Sequence, residues 1–147
     1  MSLADWAANG WLRPHQTTRR QIADLLAIVD RDLEDSRQRD LSSDWQFGIA
    51  YNAALKLCTI LLYASGYRPE KNLAHYRTIQ SLPLILGMGR SDDADYLDAC
   101  RAKRNTAEYD AAGVVSRSEA AELCGFATTF RKEVHVWLKK FHPEFFS

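Results

Sequence analysis

Arg101, Arg104, Asn105, Glu108 and Tyr109 fall together in the segment CRAKRNTAEYD, residues 100–110. Two guanidinium groups beside an amide and a phenol form a set of donors suited to phosphate. A guanidinium presents a rigid fork of N–H groups that matches paired anionic oxygens. The competing arrangement keeps Arg104 inside the protein, paired with Glu108 one helical turn on or with a carboxylate of a neighbouring helix. The direction in which Arg104 points decides between them, and the elements that carry it set that direction.

Those elements are helical throughout. A first helix is expected from Thr17 or Thr18, after Pro14, to about Gln38, with Ile22, Leu25, Leu26, Val29 and Leu33 on one stripe. Arg31–Asp35 and Asp35–Arg39 are spaced as surface ion pairs on its other side. Ser43 and Gln46 have the spacing of a capping box opening a second helix, which Gly66 closes. At 1.5 Å per residue that helix is roughly 34 Å long, and it is apolar nearly all round. A shorter helix follows around AHYRTIQSLPLILG, where Pro83 removes a backbone donor and ends its first part. Ser91 is placed to cap a fourth helix, with Asp92, Asp93 and Asp95 near its start, Arg101, Lys103 and Arg104 later, and Gly113 at its end. Ser116 and Glu119 repeat the capping-box spacing before the last helix. There Ala120, Leu123, Ala127, Phe130, Val134, Trp137 and Phe141 step by three and four, as a bundle seam does. Short connections make neighbouring helices antiparallel. The expected fold is all-α: a four-to-five-helix up-and-down bundle forming a single domain over residues 1–147, with 1–15 and 142–147 as peripheral terminal segments.

The fourth helix can now be phased at about 100° per residue. Leu97, Cys100 and Ala107 share the inward side, and Arg104 lies in the middle of the same stripe. Arg101, Glu108, Asn105 and Tyr109 continue around one flank. An unpartnered guanidinium costs several kcal/mol to bury, so Arg104 is either paired or opens onto a wet cleft.

Composition narrows the partners. Nineteen basic and nineteen acidic residues give a formal net charge of zero, so an anionic ligand must be met by a local cluster rather than by the global field. Cys58, Cys100 and Cys124 are odd in number and far apart, with no CxxC and no histidine at ligand spacing. They read as small buried thiols, with neither a metal site nor a disulfide framework. The N-terminal MSLADWAANGWLRPH lacks the pattern of a secretory signal, and the expected compartment is the cytoplasm. The long apolar run from Phe47 has nearly the length of a membrane span. Asn52 and Lys56 in its middle, and the lack of a basic flank, place it instead at the centre of a bundle, with no membrane partner.

RNTAEY on a late helix, with Arg104 followed by the polar Asn105, resembles the HEPN superfamily. So does the preceding GYRPEKNLAHYRTIQSLPLILG, and the resemblance extends from about residue 15 to 140. Members are small all-α bundles, many of them metal-independent ribonucleases or prokaryotic toxins, others partners of minimal nucleotidyltransferases. Their motif is an arginine followed, after four to six residues, by a histidine. The chain is similar to a bacterial branch with an RN…Y form, in which Tyr109 stands where the histidine does.

In the ribonuclease branches a 2′-hydroxyl attacks the adjacent phosphate, the arginine stabilises the developing charge, and the histidine moves the proton. An unperturbed tyrosine, with a pKa near 10 against about 6.5 for histidine, is a poor base at neutral pH. Tyr109 suits hydrogen bonding or stacking on a base. The resemblance therefore implies a catalytically degenerate site, around Arg101, Arg104, Asn105 and Tyr109, that binds RNA or a nucleotide without a cofactor. The alternative is a metal-independent ribonuclease of toxin type, in which Arg104 is the electrostatic catalyst and Tyr109 or His75 handles the proton. A third is a structural or regulatory bundle in which Arg104 is a buried salt bridge. His75, at the start of the third helix, either lines the site or is a helix-terminal hydrogen-bonding group. His15, His135 and His142 sit at polar or terminal positions and carry no role.

Trp6, Trp11, Phe145 and Phe146 lie in segments with little helical order. Either the chain ends fold back onto the bundle or these side chains meet another protomer. The resemblance implies a homodimer with two arginine motifs facing a shared cleft, and an antitoxin or minimal nucleotidyltransferase as a further partner.

Overall fold

The computed structural model describes residues 1–146, and the fold is an all-α helical bundle. Four long helices build it: α2 (Arg19–Ser36), α3 (Ser43–Ala64), α6 (Ser91–Tyr109) and α7 (Arg117–Phe141). Three short ones fill in around them: α1 (Leu3–Ala8), α4 (Ala74–Gln80) and α5 (Leu82–Leu86). Helix α3 is the axis of the molecule. Tyr51, Leu57, Ile60, Leu61 and Leu62 on it are fully buried, and α2, α4, α5, α6 and α7 all pack against it. By length and composition it is apolar enough to cross a membrane, but its apolar surface is spent inside the bundle.

The helix boundaries follow from local chemistry. Thr18 caps α2 by accepting from the Gln21 N–H. The cap of α3 is Ser42, one residue before the expected Ser43; its hydroxyl accepts from the Trp45 N–H. The Gln46 amide instead donates to the Gln38 carbonyl at 2.8 Å and ties down the α2–α3 connection. Ser91 does not cap α6 either. It is the first helical residue, and its hydroxyl turns back to the Met88 carbonyl in a 3₁₀ turn over Met88–Arg90. The α6 helix ends at Tyr109, short of Gly113, whose φ of 74° turns the following loop. Both halves of the Ser116–Glu119 capping box are formed at the start of α7. Pro83 divides the third helical stretch as its chemistry requires, sitting in the first turn of α5. Of the surface pairs expected on α2, neither forms among the described residues; Arg31 bonds its neighbour Asp32 at 2.9 Å instead.

The seam of α7 runs through Ala120, Leu123, Ala127, Phe130 and Val134 and then shifts to Leu138. Trp137 is half-buried and Phe141 is 56% exposed. A straight α-helix drifts about 20° per heptad away from a strict 3.5-residue repeat. Two heptads on from Leu123 that drift carries the inward face from position 137 to position 138, whereas Phe141 keeps the phase of Leu123 and is exposed as the last residue of the helix.

The N-terminal segment is integrated into the fold. Leu12–Pro14 (β1) and Tyr67–Pro69 (β2) form a short antiparallel ladder, Leu12 opposite Pro69 and Pro14 opposite Tyr67. Each strand is an Arg-Pro dipeptide with one residue before it, and a residue preceding proline is pushed out of the helical region into extended backbone. Trp6 is buried with Leu12 and Leu62 in a satellite core. Trp11 packs edge-on against Trp6, and the Arg77 guanidinium lies 3.9 Å from the Trp11 ring centroid. At the other end Phe145, in a 3₁₀ turn over Pro143–Phe145, packs on the main core. Trp6, Trp11 and Phe145 thus meet the bundle itself, and Phe146 lies edge-on to His135 of α7 but is 38% exposed.

Candidate functional site

Helix α6 crosses α3 at Gly48, where the Arg104 stem and the Glu108 carboxylate lie within van der Waals reach of the place a Cβ would take. Ala94, Leu97 and Cys100 fill the inward face of its first half. Beyond them Arg104 takes the seam position, its side chain only 18% exposed and its guanidinium 5.7 Å from the ring centroid of Tyr51. Arg104 Nε lies 3.2 Å from Glu108 Oε1, so the i,i+4 ion pair of the competing arrangement is present. The alignment is not that of a hydrogen bond, and the buried Nε–H has no acceptor. A second guanidinium nitrogen donates to Asn105 Oδ1 at 3.3 Å. The Tyr51 hydroxyl below is also buried without a partner, and burial pushes its pKa up. Two unsatisfied donors beside one another are uncommon in a bundle core.

One turn outward, Arg101 and Asn105 line a cleft of about 480 Å³ together with Lys71, Leu73, His75 and Tyr76. Helix α4 forms its other wall, entered through Leu73 in the left-handed region at φ 56°. Of the expected site residues, His75, Arg101 and Asn105 therefore share one cleft, and Arg104 lies directly inward of it. Arg101 bonds Asp98 at 2.9 Å, which orients it but leaves other guanidinium donors uncommitted. Lys56 and Lys71 have no carboxylate partner among the described residues, and Lys56 acts on the same imidazole as Arg101 and Arg104. Lys71 and Arg101 thus line the cleft, and the charges of Arg104 and Lys56 reach its imidazole from outside the lining, with Arg101 and Arg104 each paired to a carboxylate, Asp98 and Glu108.

His75 responds to this field. Partial burial, then the charges of Arg104, Lys56 and Arg101, hold its pKa below the usual value, so the imidazole is neutral at pH 7. Followed by NMR through its ring nitrogens, His75 should titrate below pH 6.5, and Arg101→Ala should move the midpoint upward. A midpoint unmoved by Arg101→Ala would separate the two residues electrostatically. The linked stability has a definite sign. Because the folded-state pKa is lowered, this contribution is present above the unfolded value near 6.5 and is lost as pH falls below it.

Tyr109 is placed elsewhere. It is 76% exposed at the last turn of α6 and lines a separate groove of about 780 Å³ with Trp45, Ala107, Glu108 and Val115. The groove's far wall is held by Asp44, whose two oxygens accept from the Gly113 and Val115 N–H groups at 2.7 and 3.1 Å. Lys56, Lys71, Tyr51 and Trp45 escaped the sequence reading as site residues. Lys56 did stand out as a charge in mid-run of the apolar helix, a signal that one side of α3 opens onto something polar.

Elsewhere the titratable groups are structural. Cys58 and Cys100 are buried, which pushes their thiols up to about 12 and about 11. Lys103 pairs with Glu119, bringing that carboxylate down to about 2. Among the described residues no three His, Cys, Asp or Glu side chains gather as a metal-ligand set. Comparison of the chain with protein-family models, curated proteins and solved structures finds no match.

Proposed function

We propose that this chain is a HEPN-like bundle that binds RNA or a nucleotide by its phosphates, in the cleft between α4 and α6. The observation that carries the reading is the convergence of Lys71, Arg101 and Asn105 on one cleft, with the charges of Arg104 and Lys56 also reaching its His75, in a protein of zero net charge. Arg101 and Lys71 supply the charge, and the Asn105 NH₂ group adds a directional donor, since its carbonyl oxygen is engaged by Arg104. Arg104 is the foundation of the site: it orients Asn105 through the bond to its Oδ1, while Glu108 offsets the guanidinium charge.

Binding of a fluorescein-labelled single-stranded RNA, read by anisotropy at about 50 mM salt, tests this. Affinity should fall as salt rises, with a log–log slope of about −1.4 for two phosphates of a single strand neutralised by Arg101 and Lys71. The absence of salt-dependent binding, to this RNA and to nucleoside di- and triphosphates, would reject the reading.

One observation favours a second, catalytic version. His75 lies in the cleft as a neutral imidazole, the form a general base needs. Here a 2′-hydroxyl passes its proton to His75 as its oxygen bonds to the adjacent phosphorus. The P–O5′ bond to the next nucleotide breaks, its oxygen leaving as a hydroxyl with the proton returned by the His75 imidazolium; a 2′,3′-cyclic phosphate remains, and Arg101 stabilises the charge on the phosphorane. Cleavage in EDTA that is lost in His75→Ala and kept in Tyr109→Phe would establish this version. Loss in Tyr109→Phe alone would return the proton-transfer role to the tyrosine.

A further inference from the structure

We infer that the groove between the start of α3 and the end of α6 seats a flat, uncharged heteroaromatic ring, a nucleobase, belonging to the ligand whose phosphates lie in the α4–α6 cleft. The inference rests on that reading of the cleft and adds a second site to it.

Two features single the groove out. Trp45 is 58% exposed and Tyr109 76% exposed, yet both line the same hollow, one from each helix. Large aromatics left open to water and gathered on one concavity mark a binding surface more often than scattered apolar residues do. The groove is also rigid. The Ser42 cap holds the backbone at Trp45, and Asp44 fixes the loop opposite by its two backbone hydrogen bonds. A stacking platform that is already ordered loses little conformational entropy on binding.

Charge selects the ligand class. Aromatic walls with free carboxylates would draw a cation. Both carboxylates here are engaged: Asp44 by the Gly113 and Val115 amides, Glu108 by Arg104. What is left is an aromatic and aliphatic lining, with the Ser43 hydroxyl at its edge, suited to the face of a neutral ring. Position links it to the phosphate cleft. Asn105 in the cleft and Tyr109 in the groove are one turn apart on α6, about 6 Å along the axis. A strand with phosphates against Arg101 and Asn105 therefore brings a neighbouring base to Trp45 and Tyr109. Bases stacked on aromatic side chains beside a cationic track are the usual mode of single-strand binding.

The test compares a short single-stranded RNA with an abasic ribose-phosphate strand of the same length, on wild type, Trp45→Ala, Tyr109→Ala and Arg101→Ala. Wild type should bind the RNA more tightly than the abasic strand. Trp45→Ala should lose about five- to a hundred-fold in RNA affinity, the usual worth of one stacked base, with abasic binding unchanged. Tyr109→Ala should act in the same direction, and both variants should melt as wild type does, since both side chains are exposed. RNA binding unaffected by Trp45→Ala and Tyr109→Ala but lost in Arg101→Ala would overturn the base site and leave the phosphate cleft standing. Failure of wild type to bind either strand would overturn both. A change of oligomeric state in Trp45→Ala, seen by sedimentation with RNA affinity intact, would give the groove to a second copy of the chain instead.

Discussion

Arg101→Glu should abolish RNA binding at about 50 mM salt while leaving the bundle folded. The guanidinium lines the cleft and is anchored by Asp98 at 2.9 Å, with its side chain about a third exposed. Reversal removes one phosphate contact and sets a carboxylate beside both Asp98 and the incoming phosphate. Like charges so juxtaposed cost several kcal/mol, which corresponds to about two orders of magnitude or more in affinity. The neutral Arg101→Ala should lose less and should lower the magnitude of the salt slope by about one contact. The order Glu, then Ala, then wild type is the informative outcome. Equal effects of the two substitutions would mean that the side chain acts through packing, and a large fall in melting temperature would mean that the Asp98 pair holds the helix. His75 offers an independent readout, because removing a neighbouring cation should raise its pKa with no ligand present.

Phe130→Ala should be among the most destabilising single substitutions. Phe130 is 1% exposed in the middle of the α7 seam, and its ring lies 5.8 Å from Phe126, which in turn packs 5.1 Å from Tyr96 of α6. Truncating a buried phenylalanine removes transfer free energy and leaves a cavity, together about 3–5 kcal/mol. Against a total stability of about 5–15 kcal/mol this is a large fraction. For a chain of this size it corresponds to a fall of about 6–20 °C in melting temperature. Urea unfolding should show a lower midpoint with an unchanged slope. Phe141→Ala is the internal control. The spacing of the seam ranks it with Phe130, but Phe141 is the last residue of α7, past the end of the packed seam, and stands largely in water, so it should cost less than about 1 kcal/mol.

The contrast between Phe130 and Phe141 indicates how far one-dimensional periodicity reaches. Spacing identifies which residues share a face: Trp137, two heptads from Leu123, has drifted by about 40° and yields to Leu138. It does not say where along the helix the partner surface stops, and Phe141 keeps the phase of Leu123 yet is exposed because it closes the helix. Caps are legible to within a residue for a related reason. Ser42 and Ser43 have the same chemistry, and only the backbone angles at 42 decide which hydroxyl turns back onto the helix. The two-stranded ladder left a weaker trace: two Arg-Pro dipeptides 55 residues apart, each extended for local reasons, whose pairing is a long-range event.

The candidate site divides along the same line. Phase alone put Arg104 at a seam position and made pairing with Glu108 one of its two possible arrangements, because both follow from the geometry of a single helix. Helical phase likewise grouped Arg101 with Asn105. The sequence by itself therefore determined an all-α bundle around one apolar helix and a cationic stretch on a late helix facing it. The tertiary structure alone decided which other elements meet that stretch. It brought Lys71 from the loop before α4, and His75 from α4 itself, to Arg101 and Asn105, set the Tyr51 ring under Arg104, and parted Tyr109 from them to face Trp45 across another groove. The physical reason is that a residue's neighbours across helices are set by how two surfaces pack, a property of the whole core. No spacing within one segment encodes it.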